Sequence, residues 1–124
     1  MTGVELIAVE RKRQIEEEGY TDEHDDGRTD SSLARAAICY AAPERLYIVR
    51  NHAAGPAFYD PWPDDWPPSF DKRYAYGEGK ELHGNYPPRP ETCTRKERLD
   101  LLVKAGALIA AEIDRLQRLK ASDG

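Results

Sequence analysis

Apolar residues return at helical intervals in three stretches of the chain, and between the second and the third the repeat disappears. From Val4 to Glu18, the residues Val4, Ile7, Ala8 and Ile15 share one helical face, and Gly19 follows where a helix C-terminus favours glycine. Thr29 and Asp30 can cap a second helix over 30–42, in which Leu33, Ala36, Ala37, Tyr40 and Ala41 repeat at i, i+3, i+4, i+7 and i+8. Its alanine-rich face would let a neighbouring helix approach closely. Pro43 ends or kinks it, and "RLYIVR" at 45–50 reads as a helical continuation or as a short strand. The third helix, 94–120, is the longest element, with Leu99, Leu102, Val103, Gly106, Ile109, Ala110, Ile113 and Leu116 covering a wide stripe. The closing "ASDG" reads as a frayed tail.

Residues 51–94 are a different kind of sequence, holding eight of the nine prolines and eight of the eleven aromatic residues. Regular structure is not expected there. Disordered segments are depleted in aromatic residues, so "FYDPWPDDWPPSF" is expected to pack on the helices as an ordered strap, with "YGEGKELHGNYPPRP" looser. The fold class that results is all-α. One domain spans 1–124, with a three-helix core (4–18, 30–42, 94–120) and an irregular aromatic and proline-rich insertion at 51–93.

Composition narrows the setting. A 124-residue chain can bury one modest core, and association with further copies would help it, so a homo-oligomer is expected. A formal charge of −5 with interspersed signs argues against direct DNA or RNA binding, which leaves a basic patch as its footprint. "AGALIAA" at 105–111 is far shorter than the roughly 20 residues of a membrane span, and no leader pattern opens the chain, so a cytoplasmic location with no membrane contact is expected. Cys39 and Cys93 lack metal-site spacing and read as two reduced thiols.

Polar residues interrupt the apolar stripes. On the first helix Arg11 lies in the middle of the stripe of Val4, Ala8 and Ile15, with Glu18 beside it and Gln14 on its flank. On the last helix Glu112 stands between Leu108 and Leu116, whereas Asp114, Arg115 and Arg118 point elsewhere. An unpaired buried charge is costly, so Arg11 and Glu112 are expected to meet. Their meeting is either a buried ion pair that registers two helices or the floor of a polar pocket, with Lys104 at its edge or simply in solvent.

The segment "EGYTDEHDDGRTD" carries six acidic residues and a histidine. It reads as a polar loop between two helices, and its spacing fits no EF-hand, zinc or His-Glu-x-x-His pattern. His24 can bond the loop backbone or act as a base near the pocket. Trp62 and Trp66 are either a lid on the core or a stacking platform. Aromatic rings beside Arg11 and Lys104 would suit a nucleobase with phosphates.

Taken together, "ERKRQIEEEGYTDEHDDGRTDSSLARAAICYA", the Trp-Pro strap and "LLVKAGALIAAEIDRL" resemble a family of short phage and prophage proteins, also found as a module in longer phage accessory proteins. The resemblance lies in Glu10, Arg11, Gln14, Glu18, Gly19, His24, Asp25, Leu33, Ala36, Ala37, Tyr40, Lys104, Ala105, Leu108, Glu112 and Arg115, and "FDKRYAYGEGKELHGNYPPRPETCT" is longer than the usual link. A weaker similarity is to the MazG-like all-α nucleotide pyrophosphohydrolases, through the Glu-x-x-Asp spacing of Glu97 and Asp100, although the second helix has no acidic pair in its body.

The expectation is a phage-type accessory protein that binds a small nucleotide-like or phosphorylated ligand and sequesters a host defence signalling nucleotide, with no cofactor. Arg11 and Lys104 would meet the anion, Gln14, Glu18, His24, Asp25 and Glu112 would line the pocket, and Trp62 or Trp66 would stack. One alternative is a magnesium-dependent nucleoside triphosphate pyrophosphohydrolase using Glu18, Asp25 and Glu112 for the metal. The other is a module that grips a host protein.

Overall fold

The computed structural model describes residues 1–28, 31–43, 46–63, 66, 67, 70 and 94–119. Thr29, Asp30, the segment "YGEGKELHGNYPPRP" and the closing "ASDG", on which expectations were placed, lie outside the described residues.

The order is α1 (Gly3–Glu17), α2 (Asp22–Asp26), α3 (Ser32–Ala41), β1 (Ile48–His52), β2 (Gly55–Tyr59) and α4 (Arg95–Arg118). The described residues are mostly helical, and the hairpin corrects the all-α expectation. "RLYIVR" resolves in favour of a strand from Ile48 onward, because β-branched and aromatic residues cluster there and meet a second set across the turn. Val49 pairs with Phe58 and Ile48 with Tyr59 in an antiparallel register. Gly55, at φ +124°, takes a backbone conformation at the turn that a side chain would resist.

The long helices are delimited by local chemistry. Thr2 and Glu5 form a capping box on α1, and Thr94 and Glu97 form another on α4, so each helix start has two of its unpaired backbone donors satisfied. Gly19, at φ +77°, turns the chain out of α1, as the sequence implies, and the Tyr20 amide bonds back to the Gln14 carbonyl at 3.0 Å. α3 stops at Ala41 because Ala42 precedes Pro43 and is held extended at ψ 133°. Its exposed end is capped from another element: Arg98 of α4 donates to the carbonyls of Tyr40 at 3.3 Å, Ala42 at 2.9 Å and also Ala41. A guanidinium at a helix C-terminus also answers the negative end of the dipole.

The core is made by α3, α4 and two aromatic contributors from outside the helix pair. Leu33, Ala36, Ala37 and Tyr40 of α3 pack with Leu101, Ala105, Leu108 and Ala111 of α4, joined by Tyr20 and Trp66. The alanine face does let the helices approach closely. Trp62 and Phe70 lie partly buried against this cluster, so the described part of the strap packs on the helices. Among the described residues, no helix is long and apolar enough to cross a membrane.

α1 reverses the expected polarity. Its buried residues are Glu10 and Gln14, whereas Val4, Ala8 and Ile15 are exposed. The inward face runs through Ile7, Glu10, Arg11, Gln14 and Glu18, a rotation of roughly 70° from the expected stripe at 100° per residue. Polar residues go inside here because the partners for each are held on α2, α4 and α1 itself.

Candidate functional site

Among the described residues, two polar clusters, an ion pair within α4, the core and a cavity take up the residues singled out in the sequence. The first cluster is built on α2. The segment expected to be a loop forms a single helical turn, started by Thr21, whose hydroxyl accepts the His24 amide at 3.3 Å. That turn aims Asp25 inward, where it is completely buried. Arg11 Nη2 donates to Asp25 Oδ2 at 3.2 Å, and its Nη1 donates to the Tyr20 carbonyl at 3.2 Å. Asp114 lies further off, at 3.9 Å from the same Nη2.

His24 completes the arrangement. Its Nδ1 is 2.8 Å from Asp25 Oδ1, and its Nε2 is 3.2 Å from Arg28 Nη2. A guanidinium can only donate, so Nε2 accepts and the ring proton sits on Nδ1, directed at Asp25. The imidazole stacks on Tyr20 at 4.9 Å with planes 3° apart, and Arg28 lies over the Trp66 ring at 5.7 Å. Burial pushes the Asp25 carboxyl above its ordinary range, with the His24 hydrogen bond and the Arg11 charge opposing that rise. Burial likewise raises the Tyr20 phenol.

The second cluster surrounds Glu10. Arg13 grips its carboxylate through Nε at 2.9 Å and Nη2 at 2.8 Å, Gln14 Nε2 donates at 3.3 Å, and Lys104 Nζ stands 3.7 Å away. Arg13 also reaches Glu18 at 3.1 Å, and Lys104 bonds Asp100 at 3.2 Å. These carboxylates are the reason the Arg13 guanidinium is held more firmly protonated than usual.

The expected pairing of Arg11 with Glu112 does not form. Arg11 turns inward but takes Asp25, and Glu112 takes Arg115 on its own helix, at 2.5 Å from Nε. The i, i+3 spacing lets α4 neutralise Glu112 without help from another element. Nor do Arg115 and Arg118 point away: Arg115 is buried, and Arg118 reaches Asp22 and Asp26 of α2. Lys104 is not a free cation at a pocket edge, being engaged by Glu10 and Asp100.

Glu18, Asp25 and Glu112, the carboxylates assigned to a metal in the enzyme alternative, each go to a different basic residue. Among the described residues no group of three or more potential ligands converges on a metal position. Trp66 is a core residue, only 4 % exposed, and is not a stacking platform. Gln14 Oε1, Arg11 Nε and Trp66 Nε1 are buried polar atoms without a hydrogen-bond partner among the described residues.

Of the expected ligand-binding residues, Trp62 lines a cavity formed by described residues. A hollow of about 410 Å³ opens between α3 and the hairpin, bounded by Arg35, Ile48, Arg50, Tyr59, Asp60, Pro61 and Trp62. Trp62 is held there edge-on to Tyr40 at 5.3 Å and to Trp66 at 5.6 Å, with its amide donating to Asp60 Oδ1 at 3.1 Å. Arg50 lies over the Tyr59 ring at 5.7 Å. Among the described residues neither Arg35 nor Arg50 has a carboxylate partner. Arg35, Arg50 and Tyr59 were not legible as site residues, because only the hairpin brings 50 and 59 beside the outer face of α3. Compared with protein-family models, with curated proteins and with solved structures, the chain matches none.

Proposed function

We propose that this chain binds a small nucleotide-like or phosphorylated ligand in the hollow between α3 and the hairpin. Binding of this kind would serve to sequester a signalling nucleotide. The observation that carries the reading is two guanidiniums, Arg35 and Arg50, which have no carboxylate partner among the described residues, lining one hollow with the indole of Trp62. Guanidinium presents paired donors that suit phosphate oxygens, and an indole face suits a base. The volume falls in the range of roughly 300–1,000 Å³ typical of small-ligand sites. Asp60 on the rim would accept from an exocyclic amino group.

This moves the ligand away from Arg11 and Lys104, whose charges are already answered within the protein. It also favours binding over hydrolysis, since Glu18, Asp25 and Glu112 are each occupied by a cation of the chain. The test is a panel of mono-, di- and cyclic nucleotides scored by melting temperature and tryptophan fluorescence, without added metal. A ligand present at 100 times its Kd stabilises by about 2.7 kcal/mol, a readily measured shift. The Arg35→Ala/Arg50→Ala variant is expected to lose that shift while keeping the unliganded melting temperature. A panel that moves neither signal in the native protein sinks the reading.

A further inference from the structure

The hairpin forms one wall of the hollow and α3 the other, and the chain is fixed to the helices on either side of the hairpin. Arg98 donates to the Ala42 carbonyl at 2.9 Å, and Trp62 lies edge-on to Tyr40 at 5.3 Å and to Trp66 at 5.6 Å. Between these points, among the described residues, no hydrogen bond, ion pair or ring contact joins 46–59 to a helix. The bonds of this segment are internal. β1 pairs with β2 along its length, Tyr47 meets Phe58 edge-on at 4.9 Å, and His52 Nε2 lies 2.9 Å from the Tyr59 hydroxyl. Cross-strand contacts of this kind hold two strands together as one body. The hairpin can therefore change its distance from α3 without breaking a bond of its own.

Charge acts on that distance. Directly opposed residues of an antiparallel pair share a face, so Ile48, Tyr59 and Arg50 lie on one face of the hairpin and Val49 and Phe58 on the other. The first three line the hollow. Across it stands Arg35 of α3, exposed and, like Arg50, without a carboxylate partner among the described residues. A guanidinium cannot be deprotonated in a protein, so the two walls carry the same charge and oppose closure. An anion between them removes the repulsion and accepts hydrogen bonds from both. It is held more strongly the nearer the walls come, and a ligand shifts a conformational equilibrium by as much as it favours one state.

We infer that the hairpin is a clamp: like charge on Arg35 and Arg50 holds it off α3, and a phosphate or diphosphate group bridging the two guanidiniums draws it closed over the ligand. Closure of one packed element onto another around a ligand is an established type of switching motion. The inference rests on the hollow being the ligand site, and it names the group recognised there as the phosphate, with a base adding contact at Trp62. It also has a consequence that needs no ligand. Arg35→Glu supplies the missing negative charge from the α3 wall itself, and is expected to close the hairpin with nothing bound.

The experiment measures the distance from hairpin to helices in the full chain by pulsed electron double resonance. Nitroxide labels are placed at Val49→Cys, on the hairpin face turned from the hollow, and at Lys12→Cys on α1, both exposed positions, in a background with Cys39→Ser and Cys93→Ser. Low ionic strength is used, because charges facing each other across solvent are then least screened. The expected distance distribution is broad without ligand, narrow with inorganic pyrophosphate, and narrow for Arg35→Glu without it. Helical circular dichroism checks folding, and Arg50→Glu makes the same reversal from the hairpin side if Arg35→Glu does not fold. A distribution that pyrophosphate leaves unchanged overturns the clamp, as does a folded charge-reversal variant as broad as the native chain. If nucleotides raise the melting temperature but pyrophosphate does not narrow the distribution, the clamp falls and the ligand site stands. If pyrophosphate and Arg35→Glu both narrow it while no nucleotide moves the melting temperature, the clamp stands and nucleotide binding falls.

Discussion

The Arg11 guanidinium lies 3.2 Å from a carboxylate oxygen of Asp25, and Asp25 has no solvent-exposed surface. A one-turn helix thereby supplies the charge that allows an arginine to sit on the inward face of α1. Removing one partner from a buried pair leaves the other uncompensated, which typically costs about 3–5 kcal/mol. Asp25→Leu is therefore expected to lower stability by that amount in urea unfolding, and Arg11→Met/Asp25→Leu to recover a large part of it. Equal losses from the single and double variants would show that the pair is not the source.

Asp25 also makes a pH prediction. Burial is the largest influence on its carboxyl and raises it above the ordinary value of 3.8. The native state then keeps its proton at pH values where the unfolded chain has released it. The proton-linked part of its stabilising contribution is complete below about 3.8 and is lost as pH rises through the native value. Melting temperatures of the native protein minus those of Asp25→Asn are expected to fall with rising pH across this window and then level off. A difference that grows with pH would contradict the sign.

The contacts of His24 define its neutral form. With Arg28 Nη2 at 3.2 Å from Nε2 and Asp25 Oδ1 at 2.8 Å from Nδ1, the proton belongs on Nδ1. Long-range ¹H–¹⁵N correlation of the imidazole at neutral pH is expected to show the Nδ1–H tautomer. The opposite tautomer would mean that Arg28 is turned away in solution.

Arg98 is expected to matter more than its surface-like charge suggests. It donates to three successive carbonyls at the end of α3, and hydrogen bonds involving a charged group contribute roughly 1.5–3 kcal/mol each. Sharing of one guanidinium and partial solvent access hold the total for Arg98→Ala to about 2 kcal/mol. Hydrogen exchange should report it locally, with faster exchange in the last turn of α3 and little change in α1.

Gly106 tests the crossing of α1 over α4. Alanine normally favours a helix interior over glycine by about 1 kcal/mol. Here its Cβ would press on Ile7, so Gly106→Ala is expected to destabilise by about 1–3 kcal/mol, the usual range for overpacking. In the Ile7→Ala background the same change should become stabilising. If Gly106→Ala alone stabilises the native chain, Ile7 is not seated there.

Local chemistry made the main helices legible. The turns at Gly19 and Pro43, the alanine face of Ala36 and Ala37, and the start of α4 at Thr94 and Arg95 rest on interactions within about four residues along the chain. The packing of Trp62 and Trp66 on the helices was also readable, since so many aromatic rings cannot stay in water. The hairpin was only half visible, because Gly55–Tyr59 has two prolines' worth of interruption nearby and gains its strand character from pairing with Ile48–His52.

What the amino-acid sequence determined by itself, then, is roughly where the three long helices lie and which residues are too apolar or too charged to be indifferent to burial. The tertiary structure decided which face of each helix turns inward and which charges meet. Val4, Ala8 and Ile15 lost the interior to Glu10, Arg11 and Gln14 because α2 answers Arg11, Arg13 and α4 answer Glu10, and Glu10 in turn accepts from Gln14. Periodicity records only angles around one axis. The energy of burying a charge depends on the distance to its partner, and that distance is set by how separate elements pack.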